Sequence, residues 1–591
     1  MKSKTTILWF VLAAALFAGI WMLEHYRQPP PPPAHGLLPG FQAGAVTGIQ
    51  ISPNGAYEIS ALRTNGGWQL TQPLAYPAQT TAIETLLTAL ENLAPLPLTA
   101  AEMRGHNDAE YGLDNPQFRV AVTAGDRQWQ FQIGSRTAPG DQVFVRVVGA
   151  NGAFVTDAAW LSLLPHSAAD WRDTALVPAA GDFDWIVITN GTKVIELRRD
   201  ATNHLWRMLQ PLDTRADGPR LATALQQLQS ARAAKFVTDD PKADLTTFGL
   251  QPAELDLCLG RGTNFTAVLH VGKKSPDAPG QMYVRRDNWN TLLTADQSDL
   301  AVWAGPVNDF RDTHLLELTA PVAEIEVTGE NHFMLQPQGT NGWRVAGEKF
   351  AVETETVQDF LRLLAGLRIT EFVKDNNTAA DLQRFGLATP SRQIILRGLA
   401  GDTNRVLAQL QFGATATNLV FVKCAEDNFV YALAATNVDR LPENGWEFRT
   451  RHLWNFSETN VAQVTLRQNG QTRQLVRTGT NAWSLAAGSQ GIIDPHAIEE
   501  TVHRLGELTA EGWVGRNFAA PEKLGFNTNN LQIVIELKSG EKRAVDFGGG
   551  VPNRKTVFAA ATLDGERWTF VFPEKLAPWV AACLTLPPNT P

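Results

Sequence analysis

The chain has 591 residues, too many for one hydrophobic core, so several domains are expected. Its formal net charge is −9, and no long basic run follows the N-terminus; both argue against a nucleic-acid partner. Cys258, Cys424 and Cys583 lie far apart with no Cys-x-x-Cys pair, which excludes a disulfide framework and a cysteine-rich zinc site.

The first predicted element is a membrane anchor. Residues Ile7 to Leu23 carry no charge, and Thr5 and Thr6 extend the run to residues 5–23, near the length that spans a bilayer. Lys2 and Lys4 precede it, so the positive-inside rule places the N-terminus in the cytoplasm and the bulk of the chain outside, in the periplasm. The run ends in the bulky Trp21-Met-Leu-Glu24, which favours an uncleaved single-pass anchor over a cleaved signal peptide. Pro29 to Pro33 then predict a stiff polyproline II spacer.

Beyond residue 36 one pattern recurs four times. A Gly-Leu step appears at Tyr111-Gly-Leu-Asp-Asn-Pro116, Phe248-Gly-Leu-Gln-Pro252 and Phe385-Gly-Leu-Ala-Thr-Pro390, with a worn copy at Leu524-Gly-Phe526. Trp68, Trp206, Trp343 and Trp483 keep the same spacing. So do Gly134, Gly272, Gly413 and Gly548, each closing a strand-like run. An aromatic-Arg motif reads Trp171-Arg-Asp-Thr174, Phe310-Arg-Asp-Thr313 and Phe448-Arg-Thr450. Independent markers in one order imply duplicated domains of ~138 residues, each long enough to own a core. The expected organisation is 1–36 for tip, anchor and spacer, then repeats 37–176, 177–315, 316–454 and 455–591.

Within a repeat, an alternating strand comes first, as in Gly48-Ile-Gln-Ile51, and two more strands follow, the third opened by the Trp. A helix is predicted next. Its apolar stripe is Ile83, Leu86, Leu87, Leu90 and Leu93 in repeat 1; Leu221, Leu225 and Leu228 in repeat 2; and Val357, Phe360, Leu361 and Leu364 in repeat 3. In repeat 4 it is Ile498, Val502 and Leu505, with Asp494 as N-cap and Pro495 in the first turn. Three strands and a short helix complete the repeat. The fold class is therefore α+β: four tandem units, each a mostly antiparallel sheet with helices on one face. The recurring Trp and Phe are expected in cores and turns, and Cys258 as a buried apolar residue in a strand.

No catalytic, cofactor-binding or metal site is assigned. Gly272-Lys-Lys-Ser275 lacks phosphate-loop spacing, and Asp546-Phe-Gly548 lacks the other kinase elements; both fall on the recurrent strand-closing glycine, where a turn is expected. His496, Glu500 and His503 share one helix face and could hold a metal, yet that face is opposite the apolar stripe and is expected to be solvated. The pair Asp239-Asp240 sits in a polar loop without an aromatic cleft. The expectation is a non-enzyme without cofactor.

The matching segments Gly67-Trp-Gln-Leu70, Tyr111-Gly-Leu113, Gln132-Ile-Gly134 and Val143-Phe-Val-Arg146, set behind an anchor and a Pro-rich spacer, resemble the domain-of-unknown-function 4340 family. The resemblance implies an accessory protein of an ABC-type, gliding-motility-like transport system at the outer face of the cytoplasmic membrane, with an ABC-type permease or another inner-membrane protein as partner. It supplies no catalytic residues. A module binding envelope polysaccharide through exposed aromatics is the alternative, and a hydrolase with a site between repeats is a third reading.

Overall fold

The structure is a computed structural model that describes residues 13–22, 36–55, 58–98, 103, 107–178, 181–318, 320–339, 341–400 and 403–585. Residues 13–22 are helical. The rest of the expected anchor and the proline run Pro29 to Pro33 lie outside the described residues. No helix among the described residues is long and apolar enough to cross a membrane.

The described chain forms four antiparallel sheets with accompanying helices. In the first sheet the strands are β1 (Gly48–Pro53), β2 (Ile59–Thr64), β3 (Gly67–Gln72), β4 (Tyr76–Pro77), β5 (Leu96–Pro97), β6 (Phe118–Ala124), β7 (Arg127–Arg136), β8 (Gln142–Val147) and β9 (Phe154–Asp157). They lie side by side in the order 4-3-2-1-6-7-8-9-5. Two meanders thus grow in opposite directions from the central β1–β6 pair, in which Ile49 faces Val122 and Ile51 faces Val120. Helix α1 (Thr80–Glu91) leaves the β4 edge, and the chain reaches the opposite edge as β5, paired with β9. That connection carries the helix across one face.

The second sheet repeats this order strand for strand, and the third and fourth repeat it without the short fourth strand. Every repeat therefore adds two strands to the sequence expectation, the edge strand after the helix and the one that pairs with it, and the first two repeats add the short fourth strand as well. The reason is non-local pairing, since Leu96 finds its partner only at Val155.

The covered face is built by alternation. Ile49 and Ile51 in β1, Val120 and Val122 in β6, and Phe131 and Ile133 in β7 are buried with Ile83, Leu86, Leu87 and Leu90 of α1 in one core. A separate core joins Ile186, Ile188, Leu257 and Leu259 to Leu221, Ala224 and Leu228 of the helix Gly218–Ser230. Each such large aliphatic side chain contributes about 1.5–3 kcal/mol through burial. In the fourth repeat Asp494 caps the helix Pro495–Gly506 by accepting from the backbone N–H groups of His496 and Ala497, as expected. Leu225 and Leu361 are only half-buried, and Ala224 takes a core place that the stripe left unassigned.

Two expectations need correction. The recurrent glycines do not close strands or sit in turns. Each lies inside a strand at a register shift, as between Ile133 and Arg136, Val271 and Lys274, Phe412 and Thr415, and Phe547 and Gly550. They mark β-bulges, where an extra residue bends the strand. Cys258 is half-buried rather than buried, because Leu255, Leu257 and Leu259 take the core face of its strand and leave Cys258 on the open face with Asp256. Burial, with Asp256 and Asp287 nearby, pushes its thiol pKa up and so disfavours the thiolate.

By compactness the chain divides into two units, Met1–Arg311 and Asp312–Pro591. Each holds two of the four sheets.

Candidate functional site

The aromatic-Arg motif joins the repeats. In each copy the aromatic residue's backbone closes onto the segment leading into the same repeat's helix. Gln79 N–H donates to the Trp171 carbonyl, Asp217 N–H to that of Phe310, and Glu353 N–H to that of Phe448. The arginine that follows is buried in all three copies.

Within the first unit, Arg172 reaches repeat 2. Its guanidinium lies 4.8 Å from the Phe236 ring and 5.4 Å from that of Tyr76. It pairs with Asp239 at 2.5 Å, and Asp239 also accepts from the Thr291 hydroxyl at 2.8 Å. From the other side Arg286 bonds the Tyr76 hydroxyl and the Ala175 carbonyl and lies 3.7 Å from Asp173. Burial raises the Tyr76 phenol pKa, against the pull of Arg286, so the hydroxyl stays protonated. The strand after the next helix adds a backbone bond, Ala233 N–H to the Thr174 carbonyl, at 2.6 Å.

The second unit repeats the device. Arg449 sits 4.5 Å from the Trp568 ring, 5.4 Å from Phe350 and 5.6 Å from Trp513, and pairs with Asp564 at 2.8 Å. The Trp513 indole donates to the Arg449 carbonyl at 3.0 Å, and Ala510 N–H donates to the Arg451 carbonyl at 2.8 Å. A guanidinium held between rings gains cation–π attraction in place of lost hydration. Arg286 has no counterpart here; Arg516 of repeat 4 bonds Glu348 of repeat 3 at 2.8 Å instead.

The residues singled out for chemistry fall apart. Asp239 belongs to the first joint. On the helix Pro495–Gly506, Glu500 pairs with Arg504 at 2.7 Å and His503 with Glu458 at 3.0 Å. Among the described residues no group of three His, Cys, Asp or Glu side chains is placed to hold a metal ion. Of the four recurrent tryptophans, Trp68, Trp206 and Trp483 are buried and Trp343 is half-buried. The Trp68 indole donates to Glu84 at 2.8 Å and the Trp483 indole to Glu499 at 2.7 Å. As buried rings bonded to helix carboxylates, these two serve the core rather than a ligand platform.

One cleft stands out, and sequence reasoning missed it. It lies in the fourth repeat and measures about 710 Å³. Its floor is apolar, with Leu531, Phe547 and Phe572, and its rim carries Arg554, Lys555 and several asparagines. The helix Ala577–Cys583 forms a side wall through Val580.

A chain of four like sheets, joined in pairs by a caged arginine, is a tandem-repeat α+β protein. Three stretches, residues 68–204, 206–380 and 343–529, of which the last two overlap, match the family described as Domain of unknown function (DUF4340). Together they cover well over half of the chain, which therefore belongs to that family. The matches open at or next to Trp68, Trp206 and Trp343, three of the four recurrent tryptophans. No curated protein matches the chain.

Proposed function

We propose that the protein is a non-catalytic, single-pass accessory protein of the cytoplasmic membrane. Residues 5–23 anchor it, and the tandem repeats serve as an extracytoplasmic scaffold for an ABC-type permease or another inner-membrane partner. The observation that carries this reading is the recurrence of one joint, at Arg172 and again at Arg449. A duplicated core that devotes its recurrent charged and aromatic residues to holding repeats together suits presentation of surfaces to partners. The uncharged run from Ile7 to Leu23 supplies the anchor. The transport context is what the family resemblance implies.

The test is purification of the full chain from membranes in mild detergent. Recovery with a permease or its ATPase is expected, together with release into the soluble fraction when residues 1–36 are deleted. A full chain that leaves the membrane with salt alone, or that copurifies with no membrane protein, overturns the proposal.

A further inference from the structure

We propose that the cleft of the fourth repeat binds an anionic saccharide, with the anion between Arg554 and Lys555 and the sugar hydroxyls on the side-chain amides of Asn469 and Asn529. This stands apart from the scaffold role, and either can fail without the other.

The repeats supply their own control. In repeat 3 the same place, bounded by the first hairpin turn and the bulge glycine Gly413, encloses only about 220 Å³. Arg392 occupies it, opposite Phe412 in the sheet register. Its guanidinium donates to the Leu441 carbonyl at 3.4 Å and to that of Pro442. Glu330, Asp439 and Glu443 also line that smaller cavity. In repeat 4 the corresponding residue is Leu531, whose carbonyl accepts from Phe547 N–H at 2.9 Å. The arginine plug is gone, and no Asp or Glu lines the larger cleft.

The lining fits the ligand class. A cleft of this size lies within the range of about 300–1,000 Å³ that small-molecule sites occupy. Arg554 takes part in one ion pair, with Glu511 at 3.1 Å, while Lys555 makes no hydrogen bond or ion pair among the described residues. In a chain whose net charge is −9, a concave surface with two cations and no carboxylate is selective for anions. The side-chain amides of Asn469 and Asn529, likewise unbonded among the described residues, match sugar hydroxyls as donors and acceptors. Phe547 and Phe572 are buried beneath the cleft with their rings 5.0 Å apart and hold its base firm.

Isothermal titration calorimetry on the full chain in detergent tests this, with trigalacturonate, glucose 6-phosphate and neutral maltotriose as probes. At least one anionic probe is expected to bind ten-fold or more tightly than maltotriose. Trigalacturonate alone would identify a carboxylate ligand, and glucose 6-phosphate alone a phosphate. Lys555→Glu should weaken binding at least ten-fold, and Leu531→Arg, which restores the plug of repeat 3, should abolish it. Lys555 is exposed, so its substitution leaves the fold intact even if Leu531→Arg does not. Failure of both anionic probes at millimolar concentration, equal binding of maltotriose, or unchanged binding by Lys555→Glu overturns the proposal.

Discussion

The carbonyl oxygen of Tyr111 lies 2.1 Å from where a Cβ on Gly134 would sit. The Gly-Leu step and the bulge glycine, two markers far apart in sequence, are thus the two sides of one backbone crossing. Phe248 approaches Gly272 in the same way at 2.2 Å, and Phe385 approaches Gly413 at 2.3 Å. On the opposite side Gly112 has a φ of +66° and faces Ser135 so closely that no side chain fits.

Alanine at Gly134, Gly272 or Gly413 should therefore force the strands apart and destabilise its repeat by about 3 kcal/mol. The worn copy should respond less. Leu524 stands 2.8 Å from the Cβ position of Gly548, and glycines follow at 549 and 550, so Gly548→Ala is expected to cost about 1 kcal/mol. Urea unfolding of the four variants measures the ranking, and equal midpoints would contradict the crossing.

The crossing also shows what was legible in the sequence. Helix stripes and alternating strands are local periodicities, so Ile83 to Leu90 and Gly48 to Ile51 could be placed without coordinates. The repeat could be read because its markers keep one spacing. Their meaning could not, since Tyr111 and Gly134 meet only through tertiary structure. Arg172 carries no local signal of burial, because one of the two rings that cage it, Phe236, comes from another repeat. The cleft was hidden for a related reason: only registering Arg392 on Leu531 exposes the lost plug.

The recurrent tryptophan predicts unequal effects in two repeats. In repeat 4, Arg477 and Glu499 pair at 3.0 and 2.8 Å with side chains only 6% and 13% exposed, and Trp483 shares the carboxylate. In repeat 1, Arg63 and Glu84 pair at 2.8 Å with about a third of each side chain exposed. Glu499→Ala strands a buried guanidinium and should cost about 3 kcal/mol or more. Glu84→Ala leaves Arg63 to water and should cost about 1 kcal/mol. Thermal unfolding of the two variants distinguishes them, and a larger loss for Glu84→Ala would refute the burial argument.

The His503–Glu458 pair gives a pH dependence. The carboxylate holds the imidazole pKa above its ordinary 6.5, and the imidazole holds the carboxyl pKa below its ordinary 4.5. The histidine's contribution is fully present below pH 6.5 and is lost as pH rises through its raised folded value. The carboxylate's is present above pH 4.5 and is lost as pH falls through its lowered one. The pair therefore stabilises most between these limits. Since half of the His503 side chain is exposed, His503→Gln should cost less than about 1 kcal/mol at pH 5.5 and nothing measurable at pH 8.5. A difference that persists undiminished at pH 8.5 would rule out the ion pair as its source.

The joints carry the remaining prediction. Arg449 touches three rings and Arg172 two, and both are nearly buried. Desolvated cation–π contacts reach about 2 kcal/mol, so Arg449→Ala should cost about 3 kcal/mol and Arg172→Ala about 2 kcal/mol. Asp564→Asn removes only the outer partner, whose side chain is 51% exposed, and should cost less than about 1 kcal/mol. The cages span two repeats, so their loss should also loosen the connection beside them. Trypsin is expected to cut after Arg451 faster in Arg449→Ala than in Asp564→Asn, because the backbone there is held by Ala510 across the joint. If both variants keep the original unfolding midpoint and cleavage rate, the caged arginine does not hold the repeats together, and the scaffold reading loses the observation on which it stands.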